Sequence, residues 1–366
     1  MSKITSSTLK WLLLSGLLVI AISLILFLQS TNPYIDRLSD YQQRIARVLE
    51  AEVESVSPSI VPYPERRDLV ISLPSISMDW SDFFRISQCD LQQWVAHRNS
   101  QLGKVMEPAT QLAYEIQLME QIARCLNHAE APVGGEWKTL FEKKQQQWPF
   151  VKWNLTWADE YWQKLFSTSG YQQSFETDEI LHLLQALRSI RLQIEQANAF
   201  HLASSLAASS SFQNDLWYQA FQDLESHQGV LMRLVYELLV MEGVLNQSTE
   251  LLQQHLDSGD LCPKPGKNRK LEILSNVLNK KYLQRIQPRQ AKMTELMRQL
   301  EVELAAWLPD QKHWGDTRLN DEFLQWYALY WKTHEQNGLR ERVVESIRQH
   351  VTVWTKIASQ CEFRMI

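Results

Sequence analysis

Glycine is scarce in this chain, 11 of 366 residues, or roughly 3% where about 7% is usual. So little glycine leaves few tight turns to build, and the long stretches rich in Leu, Gln, Glu and Ala predict an all-α fold. Positive charge is not in excess either. Residues 1–30 hold only Lys3 and Lys10, so the remainder carries 35 basic and 42 acidic side chains, formally −7. Nucleic-acid binders present a concentrated basic face, and no nucleic-acid partner is expected here. The four cysteines include no Cys-x-x-Cys and no adjacent His pair, which excludes the usual zinc patterns. Nucleophile and metalloprotease signatures are missing as well: no Gly-x-Ser-x-Gly, no His-Glu-x-x-His, and no Ser-x-x-Lys with suitable partners. Nothing in the run Ser204 to Ser211 marks one serine as activated, and Pro265-Gly266-Lys267 lacks the glycine-rich loop of a nucleotide site. No catalytic residue, cofactor or metal is assigned from these motifs.

Charge is also absent from Trp11 to Leu28, WLLLSGLLVIAISLILFL. At about 1.5 Å per helical residue this run reaches roughly 27 Å, one hydrocarbon core. Its exit offers no Ala-x-Ala-like site, with bulky Leu28 ahead of a cut after Ser30, and the first cysteine is Cys89. The pattern favours an uncleaved anchor over a cleaved signal peptide. Lys3, Lys10 and the amino terminus precede the span, while Asp36, Arg37 and Asp40 follow it. The positive-inside rule then leaves residues 1–10 in the cytoplasm and exports the rest, with the lipid contacted through residues 11–29.

The exported part divides into a juxtamembrane amphipathic helix over 30–54, a proline-rich strap over 55–80 and a helical domain over 81–366. Tyr34, Leu38, Tyr41, Ile45, Val48 and Leu49 recur at helical steps behind Pro33. Pro58, Pro62, Pro64 and Pro74 forbid a helix in the strap, where Leu69 to Leu73 is the one plausible extended piece. Further on, Thr156 with Asp159 fits an N-cap, and Pro149 breaks a segment holding Trp137, Trp148, Trp153, Trp157 and Trp162. Those rings either fill a core or wall a cleft that stacks on sugars. Leu183, Leu187, Ile190, Ile194 and Ala197 form one heptad seam; Leu231, Leu234, Leu238, Met241, Leu245, Ser248 and Leu252 form another. Such strips are expected to pack against each other. Helices over about 271–286 and 289–307 follow, then a pair buried through Leu324, Tyr327, Trp331, Val343, Ile347, Trp354 and Ala358. An even cysteine count in an oxidising compartment points to disulfides. Cys89 with Cys125 and Cys262 with Cys361 is the favoured pairing, since the first two bracket one helical hairpin.

The densest polar constellation runs from Cys89 to Lys104 and is preceded by Tyr63-Pro-Glu-Arg-Arg67. Arg66, Arg67, Arg98, Asn99, Ser100 and Lys104 can converge on an anionic group, because guanidinium forks match carboxylates and phosphates. The competing reading has the same arginines tie the strap to the helix. In Tyr63 to Arg67, in the Cys-x-Leu-Gln stretch, and in Arg98-Asn99-Ser100 with Leu102-Gly103-Lys104, the sequence resembles the bacterial family called domain of unknown function 3080. That resemblance implies an envelope protein and supplies no activity. The expectation is a single-pass protein of the bacterial inner membrane. Its periplasmic multi-helix bundle would act by contact with another envelope component or, alternatively, take a glycan, lipid or peptide fragment. Glu179 and His182 have the spacing of a ferritin-like ligand pair, but no second Glu-x-x-His exists. Lys264, Lys267, Arg269 and Lys270 form a basic turn, read as solvated.

Overall fold

The computed structural model describes residues 32–76, 91–127, 135–202, 212–262, 269–309, 318–332 and 338–362. Among them there is no strand. Helix α1 (Pro33–Leu49) starts with proline at its first position, and the Asn32 side chain caps it by accepting from the Tyr34 and Ile35 amides. Its apolar face, Tyr34, Leu38, Tyr41, Ile45 and Leu49, is fully buried. Then come a helical turn α2 (Arg66–Leu69), α3 (Leu91–Asn99), α4 (Gln101–Lys104), α5 (Pro108–Asn127), α6 (Gly135–Asn154) and α7 (Glu160–Leu165). The second half is α8 (Thr177–Leu202), α9 (Asn214–Ser226), α10 (Val230–Asp257), α11 (Arg269–Val277), a π-helical segment (Leu278–Ile286), α12 (Gln287–Trp307), α13 (Asp321–Tyr330) and α14 (Leu339–Gln360).

Helix α10 is the centre of the main core. Both heptad seams are buried where described, but they do not chiefly face one another: α10 packs mainly on α14 and α1, and α8 on α9 and α12. The reason lies in α10 itself, whose buried residues include Val235, Val240 and Val244 besides the seam, so it is apolar on several faces and takes several partners. A smaller cluster around Leu91, Tyr114, Leu118, Ile122 and Cys125 joins α3 to α5.

The described part of the strap, residues 55–76, is stitched down by aromatic side chains. The Tyr63 hydroxyl donates to the Trp157 carbonyl at 2.6 Å, and its ring stacks on Phe166 at 5.1 Å. The Trp153 indole donates to the Leu69 carbonyl at 2.7 Å, and the Val61 amide donates to the Tyr330 hydroxyl at 2.8 Å. The piece after Leu69 is extended without a partner strand. Asn154 replaces one, accepting from the Ile71 amide and donating to its carbonyl at 2.9 and 2.7 Å. Val56 crosses α10 at Gly243, where an added Cβ would stand 2.5 Å from a Val56 methyl. Glycine in the middle of that helix is what lets the strap lie so close.

Several local expectations shift. Pro149 sits inside α6 without ending it. Asp159, not Thr156, caps α7, accepting from the Tyr161 amide at 2.8 Å, while Thr156 bonds back to the Lys152 carbonyl. Residues 269–307 run without a break at Pro288. The preceding segment widens to a π-helix in which the Gln287 amide reaches the Tyr282 carbonyl, and this accommodates the missing proline N–H. Leu324 is 37% exposed; Phe323 and Trp326 take the inward places.

Cys262 and Cys361 form a disulfide, with Cα atoms 5.1 Å apart. Cys125 is buried and is not a free thiol, whereas Cys89 lies outside the described residues. The apolar run Trp11 to Leu28 lies outside them too. Among the described residues no helix is long and apolar enough to cross a membrane.

Candidate functional site

The arginines singled out in the sequence fall on two different parts of the molecule. Arg66 and Arg67 are exposed on the strap, where Arg67 pairs with Glu65 at 3.0 Å. Arg98 donates to the Gly103 carbonyl, and the Ser100 hydroxyl accepts from the Gly103 amide at 3.0 Å while donating to the His97 carbonyl at 2.7 Å. Gly103 itself is packed so tightly on the His97 and Arg98 carbonyls that no Cβ fits. Arg98, Ser100 and Gly103 thus close the turn between α3 and α4. Asn99 is exposed at the end of α3, and the hydrogen bonds of Arg98 and Ser100 run within this turn and not to Arg66 or Arg67. Lys104 ends α4, and its side chain lies outside the description.

Of the five tryptophans from Trp137 to Trp162, three fill the interior, Trp148 is partly buried, and the side chain of Trp137 lies outside the description. Trp153, Trp157 and Trp162 are 2%, 0% and 1% exposed. Trp153 lines a hollow of about 250 Å³ against the strap, with Asp68, Arg318 and Asn320, smaller than the usual range for an organic ligand. Glu179 is spent on the Glu176 amide at 2.7 Å and on Arg233, and His182 packs edge-on against His227. Lys270 pairs with Glu50 at 3.0 Å; Lys264 and Lys267 lie outside the described residues.

A groove of about 560 Å³ runs between α10 and α14, lined by residues that include Thr249, Glu250, Gln253, Glu345, Arg348 and Lys356. Beneath it sits a constellation the sequence did not reveal. Thr249 Oγ1 lies 2.9 Å from Nδ1 of fully buried His350, whose Nε2 lies 2.7 Å from the Tyr41 hydroxyl. Hydroxyl, imidazole and phenol in that order resemble a nucleophile, its base and an orienting group. Burial argues otherwise. It pushes the imidazole down to about 3, far from a working base, and the Trp354 indole lies 3.2 Å from both His350 Nε2 and the Tyr41 hydroxyl, closing the set inside the core. This is a structural network that joins α1, α10 and α14.

A buried carboxylate and a half-buried one stand out as well. Glu301, 1% exposed, accepts from Arg340 Nε at 2.6 Å, and Glu341 accepts from Nη2 of the same guanidinium at 2.5 Å. Their outer oxygens and the Tyr327 hydroxyl are buried without a partner.

The third assembly lies where α1 begins. Glu237 is 0% exposed and accepts from Arg289 Nε and Nη2 at 2.9 and 3.0 Å, and from Asn32 Nδ2 at 2.9 Å. Burial raises its carboxyl, against the pull of Arg289 and Asn32. Arg289 also donates to the Phe175 carbonyl and lies between the Phe175 and Tyr34 rings at 4.7 and 5.3 Å. Asn32, the first described residue, is thereby bonded into the core. The one sequence signal for this lock was a lone acid, Glu237, within the apolar run from Val230 to Met241. Neither Asn32 nor Arg289 could be matched to it from spacing, because the three are far apart in the chain.

No curated protein and no solved structure matches this chain. A protein family described as "Protein of unknown function (DUF3080)" matches residues 38–365, nearly the whole chain, and the chain belongs to that family.

Proposed function

We propose that the protein is a membrane-anchored envelope component, its helical domain exported to the periplasm, and that it works by binding another envelope molecule. The observation that carries this reading is the Asn32 lock. An ordinary linker after a membrane span is loose, whereas here the residue just past the apolar run is 6% exposed and hydrogen-bonded to a buried carboxylate. A domain held this firmly at the end of a span is suited to present one surface in a fixed orientation. Chemistry is not part of the proposal, since the nearest approach to a catalytic set rests on an imidazole that burial holds down to about 3.

The test is crosslinking in native membranes followed by identification of what is captured. A reproducible envelope partner, lost when the lock is broken by Arg289→Ala, is the expected result. A reporter fused at the carboxyl end that is active only in the cytoplasm would end the proposal. A second reading, a periplasmic ligand-binding module, draws on the α10–α14 groove. Its mixed lining of Glu250, Glu345, Arg348 and Lys356 suits a polar fragment carrying both charges, such as a peptide. Purified protein that retains a small molecule while crosslinking captures nothing would favour that reading.

A further inference from the structure

Helix α1 and helix α10 run in the same direction. Asn32 meets Glu237, the Tyr34 hydroxyl donates to the Met241 sulfur, and Gln42 bonds to Gln247. The chain enters α1 at Asn32, yet α10 begins seven residues before Glu237, at Val230. At about 1.5 Å per residue, that end of α10 projects roughly 10 Å beyond the entry point, on the side from which the chain arrives. Two turns project with it. Gly229 donates to the Lys164 carbonyl at 2.9 Å, Arg233 donates to the Ser174 and Gln228 carbonyls, and Asn32 touches the Gln172 carbonyl at 3.4 Å.

The sequence of this projecting end is unusual for the molecule. Ser167 to Ser174 reads STSGYQQS, and Ser226 to Gly229 reads SHQG, with no Asp, Glu, Lys or Arg in either. Ser169, Gln172, Gln173, Ser226 and Gln228 are exposed, and Tyr171 packs edge-on against Tyr236 at 4.9 Å. The nearest exposed acids, Glu176 and Glu225, flank the two turns.

From Leu28, the last residue of the apolar run, to Asn32 is four residue steps, a reach of at most about 14 Å. If the run spans the bilayer, a body projecting roughly 10 Å back toward it has little room to stand clear. We infer that the end formed by the Ser167–Ser174 and Ser226–Gly229 turns docks on the headgroup layer of the bilayer that holds the anchor. This rests on the anchored reading above. Uncharged hydroxyl and amide side chains with a tyrosine suit that layer, where hydrogen bonds to phosphate and glycerol oxygens replace those to water. The opposite end of α1, at Glu50, lies about 25 Å away along the helix and faces the aqueous side.

The experiment uses the full chain in native membranes, with a photo-crosslinking amino acid placed singly at Gln173, Gln228, Glu50 or Asp260. Lipid adducts at Gln173 and Gln228 at least about tenfold above those at Glu50 and Asp260 are expected. Equal yields, or a higher yield at Glu50 or Asp260, overturn the docking surface while leaving the anchor intact. Release of the chain from membranes by alkaline carbonate overturns the anchored reading itself, and the docking surface with it.

Discussion

At the scale of single residues, the fold depends on a few ionisable groups placed where water does not reach. Glu237 keeps its charge inside the core only because Arg289 and Asn32 hold it, so Arg289→Ala strands a buried carboxylate. The expected loss is about 3–5 kcal/mol, read from urea unfolding. A loss below about 1 kcal/mol would mean that Glu237 takes up a proton or finds another partner. His350 and Glu301 set opposing pH trends. The imidazole titrates at about 3 when folded and near 6.5 when unfolded. Between those values the unfolded chain holds the extra proton, so stability falls as pH drops, by at most about 1.4 kcal/mol per unit from this group. The Glu301 carboxyl is raised to about 7, chiefly by burial and against the pull of Arg340, and an unfolded Glu titrates near 4.3. Here the folded state holds the extra proton, and stability falls as pH rises through that window. Unfolding midpoints taken from pH 4 to 8 should therefore show the descent toward pH 7 flattened in Glu301→Gln. The loss on the acid side should be flattened in His350→Gln.

At the scale of elements, periodicity identified the helices well and their neighbours poorly. Every described seam position of α10 is buried, because a heptad strip of leucines has to face apolar surface. A strip does not say which surface, and α10 turned to α14 and α1 instead of α8. Prolines misled for a physical reason: Pro149 and Pro288 read as breaks, but an α-helix can absorb one and a π-helical segment leads smoothly into the other. The candidate site was less legible than the fold. Arg98 and Ser100 were visible as a polar cluster, yet their bonds run to the backbone of their own turn. The lock at Glu237 joins three distant stretches that no local spacing connects. The strap gives an element-scale prediction. Gly243→Ala should gain about 1 kcal/mol of helix propensity and lose more than that by displacing Val56, for a net fall in melting temperature. Adding Val56→Ala to Gly243→Ala should recover stability; a double variant no better than the single one would show that the strap does not press on α10 there.

At the scale of the whole molecule, the Cys262–Cys361 bridge closes a loop spanning α11 to α14, with a sequence separation of 99. Chain entropy alone gives such a bridge on the order of 4–5 kcal/mol. Reduction, or Cys361→Ser, should lower the unfolding free energy read from denaturant titration by up to that amount while leaving the helical circular dichroism of the folded state unchanged. A shift near zero would mean that packing of α14 on α10 already does the bridge's work. The parallel run of α1 beside α10 has a mechanical consequence. If the chain is anchored as proposed, a pull from the membrane would load the Asn32 lock, the tyrosine hydroxyls and the buried stripe of a 17-residue helix all at once, in shear, where a tail fixed at one point would peel. Tension in the membrane would thus pass sideways into α10, and from there into α14 and its covalent staple, before any single bond had to bear it.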